Sequence, residues 1–418
     1  MNAEPTPHEH FLIVGIGATQ SRIAADLHPG AELTVMGRSS MVGRMKMHDR
    51  AARSILLRDG SSDADWIEAA TFVHVKSPIT KVWCFNDPDQ DKAALIAAAL
   101  GIPGPDATCV KRMHDKLAMR EALSSVGINS LQYAAVDEGS TVEAVMASVD
   151  FPFILKPRSG VGSTGIEVVR DAVSFADAFA SARERSKDLD SLNFIAESLL
   201  GGKEYSAECV TTDGEHSLVC VTEKRTNDSF VEVGHLVPAP LDDAVAATIE
   251  AFVKRVLDAL EVKEGVTHTE FMLDGDRVQI IESHLRPAGD EIPEMVKDVI
   301  GVDLERQNAE IQANMSSFEH MSYAQRLASV STWQAVEFLF SPGAGTIDSY
   351  RGLTEVQGSE GYAGHDFVLE PGDEITATTS SFSRLALVRA NGSSPQDAQR
   401  LAHEALGKLQ AVITVSAT

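Results

Sequence analysis

FPFILKPRSGVGSTGIEVVR, residues 151–170, sets an apolar run carrying Lys156 in front of a glycine-rich turn and a second β-like run. Phe151, Phe153, Ile154 and Leu155 suit a buried strand, and Pro157 ends it because proline cannot donate to a ladder. The turn from Ser159 to Gly165 holds three glycines and three hydroxyls, and Ile166, Val168 and Val169 resume the β pattern. Glycine tolerates positive φ and has no Cβ, so such a turn lets backbone N–H groups close on an anion, with the Lys156 ammonium beside them. A Walker loop has its lysine after the glycines and a helix behind it; here the lysine comes first and a strand follows. By its residues alone the stretch is equally a glycine-rich hairpin with a solvated lysine.

The bulk numbers bound the setting. A chain of 418 residues buries a large core and is expected to hold two or three domains. With 44% hydrophobic and 23% charged residues it reads as a globular protein. A formal charge of -25 argues against nucleic acid, whose backbone is held by clustered Lys and Arg. Cys84, Cys109, Cys209 and Cys220 show no CxxC pairing and fit a reducing compartment; Cys209 and Cys220 can face each other across a hairpin without requiring a disulfide. MNAEPTPHEH lacks the features of a secretory leader and no apolar run reaches a membrane span, so no membrane partner and a cytoplasmic location are expected.

Upstream, Phe11–Val14 leads into Gly15-Ile-Gly-Ala-Thr19, an incomplete dinucleotide fingerprint because Gln20 stands where the third glycine belongs. A second strand, Glu32–Met36, ends at Gly37-Arg38, and Arg38 suits an NADP 2′-phosphate. Strands over 72–75 and 81–85 and an alanine-rich helix over 91–100 complete a small parallel α/β unit.

Further on, GIPGPDATCVKRMHDKLAMREALSSVGINS (101–130) supplies Lys116 on an amphipathic helix, and NFIAESLLGGKEYS (193–206) a strand, an apolar linker and Glu204. Thr222–Pro240, read as a loop facing a substrate cavity or equally as a polar β-hairpin edge, brings Glu223, Lys224, Arg225, Glu232 and His235. VTHTEFML (266–273), a tight Asp-Gly-Asp turn and VQIIES (278–283) form a hairpin that sets Glu270 and Glu282 on neighbouring strands, on one face if in register. Two carboxylates so close repel unless a cation lies between them.

Together these stretches resemble the ATP-grasp superfamily. The hairpin around Lys156 is similar to its phosphate-covering lid, residues 114–128 to its "xDKxxxRxxLxxxGI" helix, and 282–286 to its "E-x-N-x-R" motif. The resemblance implies an α/β ATP-grasp fold in three parts: a Rossmann-like unit over 1–105, the ATP-grasp domain over 106–325 with a lid at about 150–215, and a β-rich, biotin carboxylase-like domain over 326–418. That last part rests on the PGxG-like turn at 342–345, the PGDE turn at 371–374 and RLALVRANG (384–392). Strands are expected there at 335–340, 352–356, 367–369 and 383–389, with a closing helix over 394–409.

By the same resemblance ATP phosphates meet Lys116, Lys156 and the loop residues Ser159, Gly160, Gly162 and Ser163. Glu197 and Leu200 form the adenine hinge, and Glu204 takes the ribose hydroxyls. Glu270 and Glu282 hold Mg²⁺, with His284 in place of the family asparagine, a change that admits Mn²⁺. Arg286 meets substrate carboxylate or the tetrahedral oxyanion, and His268 is a candidate acceptor-site residue beside a structural reading as a core histidine.

HTEF, VExGHxVPAP and the arginine motif look most like the L-amino acid ligases of the bacilysin and dapdiamide type. The implied reaction joins a small-molecule carboxylate to an amine, both expected as amino acids, through an acyl phosphate, releasing ADP and phosphate. Rival readings are a bicarbonate- or formate-activating enzyme of the biotin carboxylase or purine-pathway type, an NADP oxidoreductase, and an ATP-binding regulatory protein. Dimers are common in the superfamily, so a homodimer stands among the expected assemblies.

Overall fold

The computed structural model describes residues 9–15, 19–44, 49–128, 130–160, 162, 164–187, 193–227, 230–341, 343–375 and 383–414. Gly17 and Ser163 lie outside them. Helices and strands are mixed throughout.

Near the N-terminus four parallel strands lie in the order Arg53–Leu57, Glu32–Arg38, His10–Val14, Lys81–Cys84. Residues 72–75 are not a strand but the last turn of the helix Asp63–Lys76. Its start is fixed by a capping box between Ser62 and Asp65, a local signal that outweighs a short apolar run. Arg53–Leu57 supplies the missing strand. Arg38 donates from Nε to Asp89 Oδ1 at 3.0 Å, so the basic end that suited a 2′-phosphate already holds a carboxylate.

The opening stretch folds as read. Phe153–Pro157 and Glu167–Val169 pair antiparallel, and Phe194–Ser198 and Tyr133–Val136 complete a four-stranded sheet. Strand alternation splits the side chains: Phe153 and Leu155 enter a core with Phe175 and Phe194, whereas Ile154 and Lys156 face a cavity. Gly165 has φ +73°, and a Cβ there would collide with Ser186 Oγ, so the turn needs glycine on both counts.

The largest sheet has eight strands, in the order Arg277–His284, Gly265–Asp274, Lys203–Thr212, Glu215–Thr226, Glu232–Val237, Trp333–Phe340, Arg384–Gly392, Tyr362–Phe367. It crosses the boundary expected near residue 325, because the strand Trp333–Phe340 pairs with Glu232–Val237. Residues 222–240 take the hairpin reading, mostly two paired strands, Glu215–Thr226 and Glu232–Val237. Residues 353–357 form a short helix where a strand was expected, followed by the strand Tyr362–Phe367. A small sheet of Glu374–Ile375, Gly345–Arg351 and Gln410–Thr414 closes the C-terminal part. All four cysteines are buried and free, Cys209 facing Leu218 and Cys220 facing Glu208. Among the described residues no helix is long and apolar enough to cross a membrane.

Candidate active site

Two helices meet at Asp115, whose carboxylate caps the second by accepting from the N–H groups of Leu117 and Ala118. The break makes Lys116 the first residue of the helix Lys116–Ser125. Its backbone N–H donates to the Arg158 carbonyl at 2.9 Å, and the Arg158 guanidinium grips Asp115. The helix start is thereby fastened to the end of the lid strand that carries Lys156.

Both lysines face one cavity of about 1540 Å³ and are buried. Lys156 Nζ lies 2.8 Å from Glu197 Oε2, and Arg120, fully buried, binds the same carboxylate through Nε at 2.8 Å and Nη2 at 3.2 Å. Burial would raise the Glu197 carboxyl, yet the two cations hold it at about 2. Burial likewise pulls Lys156 down from its ordinary value against the pull of Glu197. The Glu197 side chain thus braces the cations, and the Ser198–Leu200 linker beside it lines the cavity wall. Gly202, with φ +103°, lets this linker approach the Leu273 carbonyl, where a Cβ would collide.

Glu270 and Glu282 stand directly opposite each other on the hairpin, as the spacing requires. Each carboxylate has its own ammonium. Lys116 Nζ is 2.6 Å from Glu282 Oε2, and Lys224 binds Glu270 while lying 3.6 Å from Glu232 and 3.8 Å from Glu204. Burial opposes ionisation at both, but the lysines keep both carboxyls well below the usual range. Glu204, at the edge of this group, is pushed up to about 7 by burial. Among the described residues the acids whose oxygens converge within 4.8 Å are Glu204, Glu232 and Glu270; Glu282 and His284 stand outside that group.

The histidines are pinned between carboxylates. His268 sits 2.8 Å from Glu208 through Nδ1 and 3.0 Å from Glu270 through Nε2. His284 sits 3.2 Å from Asp87 and 3.5 Å from Glu282. Burial disfavours the His284 imidazolium, but Asp87 and Glu282 outweigh it and raise it to about 9. With its two ring nitrogens on these carboxylates, His284 is pinned between Asp87 and Glu282. Arg286 grips Asp87 at the same wall.

Lys116, Lys156, Gly160, Gly162, Glu197, Leu200, Glu204, His268, Glu270, Glu282, His284 and Arg286 all line this one cavity. Ser159 does not: it is exposed and outside the cavity lining. Of the stretch 222–240, Lys224 and Glu232 reach the cavity, whereas Arg225 pairs with Glu337 and His235 is buried against Asp290. Asp87, Asp290 and Arg384 were missed. Asp87 had a signal, since it follows the C-terminal end of the parallel strand Lys81–Cys84, where open α/β sheets bind ligands. Arg384 and Asp290 had none, being brought in by the long-range pairing of the central sheet.

Residues 149–294 match the ATP-grasp domain family, and residues 337–414 match the L-amino acid ligase C-terminal domain 2. An uncharacterized protein of Sinorhizobium fredii is 26% identical over 315 residues, 74% of this chain and 63% of that one. Alanine–anticapsin ligase of Bacillus subtilis is 27% identical over 225 residues, 49% of this chain and 48% of the ligase. The chain therefore spans between about half and two thirds of the length of these curated relatives. The crystal structure of an L-amino acid ligase from Bacillus licheniformis superposes with a TM-score of 0.78 at 17% identity, covering 98% of this chain and 100% of that chain, a likeness of fold. Laid over the lysine, glutamate and hairpin geometry, these matches give residues 149–294 as an ATP-grasp domain and residues 337–414 as an L-amino acid ligase C-terminal domain 2.

Proposed function

We infer that the chain is an ADP-forming carboxylate–amine ligase acting on amino acids. The observation that carries this reading is the single cavity in which Lys116 and Lys156 face the Glu270–Glu282 pair, with room for a nucleotide and two further small molecules. Lys116, Lys156 and the amides around Gly160 and Gly162 receive the triphosphate, and Glu204 the ribose. The pairing of Glu270 and Glu282 with ammonium groups supports a cation site there, a divalent ion held by these two carboxylates with Glu204 and Glu232 at its edge. Bound there, Mg²⁺ or Mn²⁺ supplies charge neutralisation of the phosphates.

The donor carboxylate oxygen attacks the γ-phosphorus of ATP, and the bond to the β-phosphate oxygen breaks, giving an acyl phosphate and ADP. The free amine then attacks the acyl carbon, and the tetrahedral oxyanion collapses with loss of phosphate to leave an amide. Arg286, with a planar donor fork, stabilises that oxyanion, and the lid over Gly160–Gly165 excludes water from the acyl phosphate. No side-chain nucleophile is needed.

The test is ATP-dependent release of ADP and phosphate across pairs of amino acids, bicarbonate and formate, with Mg²⁺ and then Mn²⁺. Release that needs two amino acids, with a product mass equal to their amide, is the expected result. Release with bicarbonate or formate alone would replace the ligase reading by its carboxylating rival.

A further inference from the structure

At the end of the cavity away from the lid, the C-terminal strands add a wall of their own. Arg384, first residue of the strand Arg384–Gly392, is buried, and its Cζ lies 3.9 Å from the centre of the Phe338 ring. It holds two carboxylates from distant parts of the chain, Glu232 through Nη2 at 2.7 Å and Asp290 through Nη1 at 2.6 Å. Asp290 also approaches His235 Nε2 at 3.4 Å, and it remains a third exposed towards the cavity. Its backbone is left-handed, φ +58°, and so is that of Glu291, φ +64°. Two consecutive non-glycine residues in this region are costly, and such outliers persist where the surrounding structure fixes a side chain for use.

The charge at this wall is not balanced. Glu232 and Asp290 share one guanidinium, and Lys224, which also touches Glu232, is divided with Glu204 and Glu270. Burial drives His235 below its ordinary value, so it adds no cation. Carboxylates therefore outnumber cations, and the wall favours a positively charged visitor. Beside it lie Phe338, Val368, Leu369 and Leu387, an apolar patch within the same cavity. The chain of contacts Asp290–Arg384–Glu232–Lys224–Glu270 links this wall to the carboxylate pair on the hairpin.

Resting on the ligase reading, we propose that this wall is the seat of the amine substrate: its ammonium docks on Asp290 with Glu232 behind it and gives a proton to the Asp290 carboxylate to become the free amine that attacks, and its side chain lies on Phe338, Val368, Leu369 and Leu387. The amine partner is then an α-amino acid with an apolar or aromatic side chain. Arg384 is a positioning residue that keeps both carboxylates at the wall.

The experiment compares the full chain with Asp290→Asn and Val368→Trp, using a panel of amino acids as acceptors and hydroxylamine as a small acceptor that traps the acyl phosphate as a hydroxamate. In Asp290→Asn the KM for apolar amino acid acceptors is expected to rise about tenfold or more, while hydroxamate yield falls by less than about threefold. Val368 is half exposed, so tryptophan fits without disturbing the core. It is expected to shift the product spectrum from large apolar acceptors to glycine and alanine. Acceptor KM values that move less than about twofold in both variants would overturn the assignment, as would a KM change confined to the donor carboxylate. Loss of all carboxylate-dependent ADP formation in the unaltered protein would instead remove the ligase reading, and this assignment with it.

Discussion

The two ends of the cavity hold their charges in opposite proportion. At the lid end Lys116, Lys156 and Arg120 are held by two acids, Glu197 and Glu282. At the far end Lys224 and Arg384 are surrounded by Glu204, Glu232, Glu270 and Asp290. An excess of buried cations waits for an anion, and an excess of buried carboxylates waits for a cation. The contrast fits a triphosphate at one end and a metal and an ammonium at the other.

The contrast is broken most severely by Lys156→Ala. That variant leaves the lid without its phosphate charge, and ADP formation in a coupled assay is expected to fall by about 10²–10³-fold or more with the fold intact. Near-parental turnover would mean that the lid end is not the phosphate site. Arg120→Ala acts on stability instead. It leaves the Glu197 carboxylate buried beside Lys156 alone, and a loss of about 3–5 kcal/mol is expected in denaturant unfolding. A loss below about 1 kcal/mol would show that water reaches Glu197.

Metal removal sharpens the other end. Lys116 and Lys224 already occupy Glu282 and Glu270, so calorimetry is expected to detect Mg²⁺ tightly only when ATP is present to draw Lys116 away. Tight Mg²⁺ binding to the free protein would show that the ammonium groups are not competitors. The smallest effect concerns Glu291, outside the cavity's charged core. Burial, with Glu294, Asp366 and Glu305 facing it against Arg389, raises it to about 7. A carboxyl raised in the fold above its unfolded value costs stability once ionised, so this cost is absent below about pH 4.5 and complete above about pH 7. Glu291→Gln is therefore expected to raise Tm relative to the parent above about pH 7, with the gap closing towards about pH 5. A gap that widens on acidification would reverse the sign.

The lysine and glutamate framework of the cavity was legible because its parts are local. Lys156 with its glycines, Glu197 with Glu204, and Glu270 with Glu282 each fall within one hairpin or one strand–linker–strand unit, where alternation and turn length fix which side chains share a face. The strand expected at 72–75 failed for a related reason: a short apolar run carries no period long enough to tell helix from strand, and the Ser62–Asp65 cap decided it.

The sequence by itself determined the hairpins, the parallel unit near the N-terminus, and which lysines and glutamates these hairpins turn to one cavity, since each is written within a few turns or strands of chain. Only the tertiary structure decided that Lys116 and Lys224 pair with Glu282 and Glu270, that His284 sits between Asp87 and Glu282, and that Asp290, Glu232 and Arg384 share one wall. Those contacts join residues far apart in the chain through an eight-stranded sheet, and a carboxylate's charge state and partner are set by what burial and strand pairing bring beside it.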